Sequence, residues 1–182
     1  GQITVTIPSE LTVPIEINNG YGDMEINHIS APQFLLNNEA GYVNFTNFKA
    51  DMLQISSTSG DIAISSSSIP DISVVSSSGY ISLMQTEYLD CSLTAKSGEI
   101  NIVDAVSHGN LSLQTGSGDI SVTYQNEPDS LTFDVASGSE DLSVKFSSAD
   151  YQIETSAHKQ GVIGNGEYRL TLNSNHGTIV IK

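Results

Sequence analysis

Apolar positions in this chain fall into two short alternating runs per repeat, and a turn glycine sets the repeat. Gly22, Gly41, Gly60, Gly79 and Gly98 stand 19 residues apart, Gly118 follows 20 later, and nine turn signals of this kind run along the chain. Two residues after the glycine come Met24, Val43, Ile62, Ile81, Ile100 and Ile120; four after come Ile26, Phe45, Ile64, Leu83, Ile102 and Val122. Five before it stand Ile17, Leu36, Ile55, Val74, Leu93 and Leu113, and seven before it Ile15, Phe34, Leu53, Ile72, Cys91 and Leu111. Polar residues fill the positions between. Each repeat therefore reads as two strands of period two, one face apolar and one polar. No window carries the i, i+3, i+4, i+7 pattern of an amphipathic helix, so helix content is expected near zero.

One repeat cannot bury its apolar face alone, whereas stacked repeats place column upon column. The predicted fold is all-β: a single-stranded β-solenoid, or parallel β-helix, with two short strands per rung of 19–20 residues. Parallel crossovers favour a right-handed coil. Eight intervals at the spacing of neighbouring strands give a stack of roughly 40 Å. Gly22, Gly41, Gly60, Gly79, Gly98, Gly118 and Gly177 are the expected structural turns, where a tight corner needs positive φ. Ser59, Ser78, Ser97 and Ser117, one residue earlier, are expected to satisfy corner amides.

No linker interrupts the columns, so residues 1–182 read as one solenoid domain. Residues 1–14, with the alternating Ile3-Thr4-Val5-Thr6-Ile7, are expected to form an N-terminal capping strand; 15–153 form regular rungs and 154–182 irregular last rungs. The Gly138 turn carries two extra residues, after which Tyr151 and Ile153 form the next inward pair. Thr155 to Gly161 reads as a longer corner, and Gly161-Val162-Ile163-Gly164-Asn165-Gly166 as a bulge or loop. Ile179-Val180-Ile181-Lys182 closes the series.

Twenty-one acidic residues against six basic ones give a formal charge of −15. That surface repels phosphate backbones and anionic headgroups, which disfavours nucleic acid and direct membrane binding. No apolar run is long enough for a spanning helix. The single cysteine, Cys91, rules out an intrachain disulfide and sits in an inward column, as a small hydrophobe. A strand directly after Gly1 suggests that a natural start, with an export signal or anchor, lies upstream.

Candidate chemistry concentrates one residue after the turn glycines, where the column reads Asp23, Tyr42, Asp61, Tyr80, Glu99, Asp119 and, across the insertion, Asp141. Stacked in register, Glu99, Asp119 and Asp141 would be carboxylates about 5 Å apart. They are the one weak metal candidate, for a calcium-like cation; the alternative is that each carboxylate caps amides of its own turn. His28, His108, His158 and His176 fit no zinc spacing, although His158 and His176 fall at turns of late rungs that could approach each other. No nucleophile elbow, phosphate loop or dinucleotide fingerprint occurs. A polysaccharide-cleaving site would pair carboxylates with a base, and of Lys49, Lys96, Lys145, Lys159, Arg169 and Lys182 only Lys96 adjoins the acidic column. The chain is expected to be no enzyme and to need no cofactor.

The string Ser57-Thr58-Ser59-Gly60-Asp61-Ile62, varied at Ala95-Lys96-Ser97-Gly98-Glu99-Ile100 and Gln114-Thr115-Gly116-Ser117-Gly118-Asp119-Ile120, closely resembles a bacterial adhesin-like family, a domain of unknown function nicknamed the toastrack. The likeness extends from the strand ending in Pro8 to Gly177-Thr178-Ile179. It implies a single-stranded β-solenoid, commonly attached to the cell envelope, with no established catalysis and no catalytic motif to carry over. Some relatives belong to envelope-stress systems with membrane partners. Tyr42, Tyr80, the Gly138 insertion and the Thr155 to Gly161 corner depart from the family pattern.

The expected function is that of a non-catalytic, adhesin-like solenoid of the cell surface or envelope, presenting a polar acidic face to a protein or glycan. Tyr21, Tyr42 and Tyr80 are the candidate partner-binding residues, since tyrosine gives amphipathic contact area at low entropy cost. Self-association through the solenoid ends is expected if the last strand leaves unpaired backbone. A carbohydrate-active β-helix enzyme and a structural spacer or envelope-stress scaffold are the alternatives.

Overall fold

A computed structural model describes residues 8–182. It contains no helix, and its strands build a β-solenoid of parallel stacked coils. The first six coils follow the predicted columns. Each gives one strand to each of two sheets: β1 (Ile15–Tyr21) and β2 (Met24–Asn27), β3 (Ser30–Ala40) and β4 (Val43–Thr46), β5 (Lys49–Ser57) and β6 (Ile62–Ser65), β7 (Asp71–Ser78) and β8 (Ile81–Met84), β9 (Asp90–Ser97) and β10 (Ile100–Ala105), β11 (Asn110–Ser117) and β12 (Ile120–Tyr124). Pairing is parallel and in register, so Leu53, Ile72, Cys91 and Leu111 lie one upon the next, all buried.

The remaining strands depart from chain order. They are β13 (Leu131–Ser137), β14 (Leu142–Val144), β15 (Asp150–Glu154), β16 (His158–Ile163), β17 (Tyr168–His176) and β18 (Ile179–Ile181). The larger sheet runs β1-β3-β5-β7-β9-β11-β17-β13-β16-β15, and the smaller β14-β18-β12-β10-β8-β6-β4-β2. The last rung, β17 with β18, is thus inserted between the β11/β12 coil and the β13/β14 coil. Leu170 pairs with Leu111 on one side and Phe133 on the other, and Ile179 with Ile120 and Leu142. The expected unpaired final edge is overturned: Ile179 and Ile181 are 0% exposed, with a ladder on each side.

Two further expectations change with this topology. Tyr151 and Ile153 do not open another parallel rung; β15 pairs antiparallel with β16, and β16 antiparallel with β13. The reversal is set by Thr155, whose N–H and hydroxyl both donate to the His158 carbonyl while its Oγ1 accepts the His158 N–H at 2.9 Å. Gly161 to Ile163 is strand rather than bulge or loop, and Gly161 is required because a Cβ there would overlap the Phe133 ring and the Asp150 carbonyl. The loop is confined to Gly164 to Glu167, between β16 and β17.

The corners fix the register. From Gly22 to Gly118 the turn glycines have φ between 108° and 144°, and a methyl on Gly60 would overlap the Gly41 carbonyl oxygen. The same overlap recurs from rung to rung and joins Gly177 to Gly118; Gly177, against expectation, is not at positive φ, so there close backbone approach alone excludes a side chain. Inside this corner runs a buried column of polar residues, Asn38, Ser57, Ser76, Thr115, Ser174 and Ser137, interrupted by Ala95 between Ser76 and Thr115. Its members donate to turn carbonyls, as Ser76 does to Ser78 at 3.0 Å and Thr115 to Gly98 at 3.1 Å. Ser59, Ser78 and Ser97 donate to carbonyls of the preceding rung, not to corner amides as the sequence suggested. The opposite corner uses the left-handed region without glycine, at His28, Asn47, Ser66, Gln85 and Asp104, with φ between 49° and 57°.

At about 1.5–3 kcal/mol for each fully buried Leu or Ile, the interior stripes supply the bulk of the stabilisation. Each corner hydrogen bond adds about 0.5–1.5 kcal/mol and specifies register. At the far end of the stack Phe146, Phe133, Tyr151 and Tyr124 close the core, with Phe133 and Phe146 centroids 5.2 Å apart. At the near end Glu10 bridges Ser30 in parallel, and the Leu11 N–H donates to the Ser30 carbonyl at 2.8 Å. Residues 8–14 form no strand beyond that bridge, so the expected capping strand is not formed there, and residues 1–7 of it lie outside the described residues.

Candidate functional site

The acidic corner column is built from whatever follows each turn glycine, and the inserted rung changes its order. Ladder bonds at this corner join Glu99 to Ile81, Asp119 to Ile100, Thr178 to Ile120 and Asp141 to Ile179. Thr178 therefore separates Asp119 from Asp141, and the three-carboxylate ladder Glu99, Asp119, Asp141 does not exist. Only Glu99 and Asp119 are neighbours, and no group of three His, Cys, Asp or Glu among the described residues is arranged to hold a metal ion. The aspartates cap the next rung, not their own turn. Asp23 Oδ1 accepts the Tyr42 N–H at 2.9 Å, Asp61 Oδ1 the Tyr80 N–H at 2.8 Å, and Asp119 Oδ1 the Thr178 N–H at 2.7 Å. Thr178 Oγ1 also donates to Asp141 at 3.0 Å. Alternating carboxylates with Tyr or Thr largely avoids stacking like charges at one-strand spacing.

A second arrangement lies on the outer face of the larger sheet, at the opposite ends of its strands. β7, β9, β11 and β17 there place Asp71, Asp90, Asn110 and Arg169 in one row, with Ser73, Ser92, Ser112 and Thr171 beside it, along an open groove of about 470 Å³. Asn110 is held from both sides: its Nδ2 donates to Asp90 Oδ1 at 2.7 Å, and its Oδ1 accepts the Arg169 N–H at 3.0 Å. The row runs from two carboxylates through a carboxamide to the chain's one arginine, with small hydroxyl side chains as its floor. Beyond these internal bonds each group keeps some donor or acceptor capacity for a hydroxyl-rich ligand. This row was missed in the sequence. All four residues stand eight before a turn glycine, but Arg169 joins them only once the Gly177 rung is known to follow the Gly118 rung.

The proposed contact tyrosines are not brought together. Tyr21 is 84% exposed and lies opposite Ala40, two columns away from Tyr42 and Tyr80 across the glycine column, and those two are themselves separated by the Asp61 rung. All three sit at the glycine corner, away from the groove. His158 and His176 have separate partners: His158 Nε2 is 2.9 Å from Asp134 Oδ1, and His176 Nδ1 is 3.4 Å from the Gly116 carbonyl. Cys91 is buried, and burial pushes its thiol pKa up, assisted by Asp71, which keeps it protonated and unreactive. Burial likewise raises the phenols of Tyr88 and Tyr124. Among the described residues, Glu127 is the one carboxylate clearly tuned downward, to about 2, by the Ser147 and Ser148 hydroxyls and the Ser148 N–H. It clamps the turn before β15.

A parallel coil closed by a glycine corner, with one strand per sheet per turn, defines a β-solenoid repeat domain. The family model described as Toastrack DUF4097 matches residues 1–182, and the chain belongs to that family, a domain of unknown function. Neither the curated proteins nor the solved structures yield a match.

Proposed function

We propose that this domain is a non-catalytic, adhesin-like module of the cell surface or envelope, and that the groove across β7, β9, β11 and β17 holds an extended, hydroxyl-rich glycan. The observation that carries this reading is the row Asp71, Asp90, Asn110, Arg169. One polar group per strand, at a spacing close to the rise of one sugar unit, suits successive units of a polysaccharide. The hydroxyl floor and the pre-set Asn110 lower the cost of ordering the site. With a formal charge of −15, a neutral or amino-sugar polymer is favoured over an anionic one. Described acidic side chains gather at the corners, such as Asp23, Asp61, Glu99 and Asp119, and at this strand-start row, leaving the flat faces mainly Ser, Thr, Asn and Gln.

Titration of the domain with neutral, amino-sugar and uronic-acid oligosaccharides, read by calorimetry and by amide NMR shifts, tests this. Binding of a neutral or amino sugar, with shifts on β9, β11 and β17 and roughly tenfold weakening in Arg169→Ala or Asn110→Ala, is expected for loss of a ligand-bonded polar group. Binding to none of the three classes, or binding indifferent to both substitutions, overturns it. Because Asp71 and Asp90 are paired carboxylates, cleavage of the bound oligosaccharide that Asp90→Asn abolishes would replace this reading with a carbohydrate-active one.

A further inference from the structure

Among the described residues, every backbone ladder that ties β13 and β14 to the six earlier coils passes through β17 and β18. The last rung therefore fills a slot between two walls: β11 and β12 on one side, β13 and β14 on the other. Its inward residues, Leu170, Leu172, Ser174, Ile179 and Ile181, are at most 1% exposed, so the slot is dry and shape-matched. Upstream, this rung is joined only through Gly164 to Glu167, a loop that rounds the start of β13 from its antiparallel neighbour β16 to its parallel neighbour β17. That loop has Gly164 and Gly166 in the left-handed region, with φ of 57° and 67°, and few bonds: Gly166 N–H to Ile163, Glu167 N–H to Ser130 Oγ, and Thr132 Oγ1 to Gly166.

The geometry points to strand exchange: the slot between the β11/β12 and β13/β14 coils takes residues 168–181 from a second copy of this chain, which receives the first copy's rung in return. Exchange keeps every ladder bond and every buried side chain, and changes only the loop, which is the condition under which swapped dimers form at low cost. Association through the far end of the stack has no such advantage, since its edge strand β15 presents Asp150, Gln152 and Glu154 to solvent.

The test shortens the loop in the full chain by deleting Asn165 and Gly166, in a Cys91→Ala background carrying Ser112→Cys and Thr171→Cys, whose positions pair across β11 and β17. Unable to round β13, the shortened chain is expected to shift from monomer to dimer by roughly tenfold or more, with disulfides between chains. A monomer with disulfides within the chain overturns the proposal. Should the shortened chain fail to fold, a second arm decides. A protease site is placed in the Gly164 to Glu167 loop, the folded chain is nicked, and a labelled peptide of residues 167–182 is added. Uptake of label, blocked by Leu170→Asp with Leu172→Asp in the peptide, supports exchange; a nicked chain that keeps its own segment or takes up no label contradicts it.

Discussion

Asp119 accepts the backbone N–H of Thr178 at 2.7 Å, although 59 residues separate them in the chain. The same bond between Asp23 and Tyr42, or Asp61 and Tyr80, spans 19. One corner motif thus joins coils consecutive in sequence and also seats the inserted rung. Asp119→Ala is expected to lower stability by about 1 kcal/mol, since it removes a charge-assisted but solvent-accessible bond. Glu99→Ala, which removes no such bond and relieves a like-charge neighbour, should be neutral or slightly stabilising; urea unfolding of both variants checks the contrast.

Gly60→Ala should cost about 2–3 kcal/mol, combining strain at positive φ with displacement of the neighbouring backbone. The control is Gly20→Ala: a Cβ there meets nothing within 4 Å, and stability should be unchanged or slightly raised. Equal losses in the two variants would mean that the glycine corner is not the close-packed ladder described.

At the opposite corner, Ser66 has φ of 50° and an exposed side chain. Ser66→Gly removes the left-handed penalty and should raise stability by about 0.5–1 kcal/mol, measured as a higher unfolding midpoint. Ser56→Gly, at a ladder-paired position within β5, should have the opposite sign.

Acid unfolding should involve Glu127. Its folded pKa, near 2, lies below the ordinary value of 4.5, so its contribution is fully present above about pH 4.5 and is lost as pH falls toward 2. Glu127→Gln should flatten the stability profile over that window and leave the profile above pH 6 parallel to the parent's. Tyr88, Tyr124 and Cys91 act in the other direction. Their raised pKa values give stability that is present below the unfolded-state values and declines as pH rises beyond them.

The first six coils were legible because a period of two within a strand and 19 or 20 between turns leaves one register that buries every column, from Ile15 to Val122. Cys91 is buried where its column placed it. The columns carry no information on which coil lies next to which, because Leu170 and Phe133 suit the same position beside Leu111. Chain order was the default, and it failed where Thr155 reverses the strand and β16 occupies one side of β13. The same failure produced the false carboxylate ladder Glu99, Asp119, Asp141 and hid Arg169 from Asp71, Asp90 and Asn110. The buried Ser and Thr column and the left-handed residues from His28 to Asp104 carry weaker signals, since polar residues at such positions read as ordinary corner residues.

Disulfide trapping tests the inserted rung most directly. In a Cys91→Ala background, Ser112→Cys with Thr171→Cys places two thiols on adjacent strands, near the 4.4–6.8 Å Cα separation that a disulfide tolerates. Ser112→Cys with Asp134→Cys places them two strands apart, at roughly 9.6 Å. Oxidation of the folded protein should close the first pair, within the monomer or across an exchanged dimer, and leave the second reduced. Closure of the second pair with the first left open would mean that β13 stacks directly on β11 and that the last rung lies elsewhere.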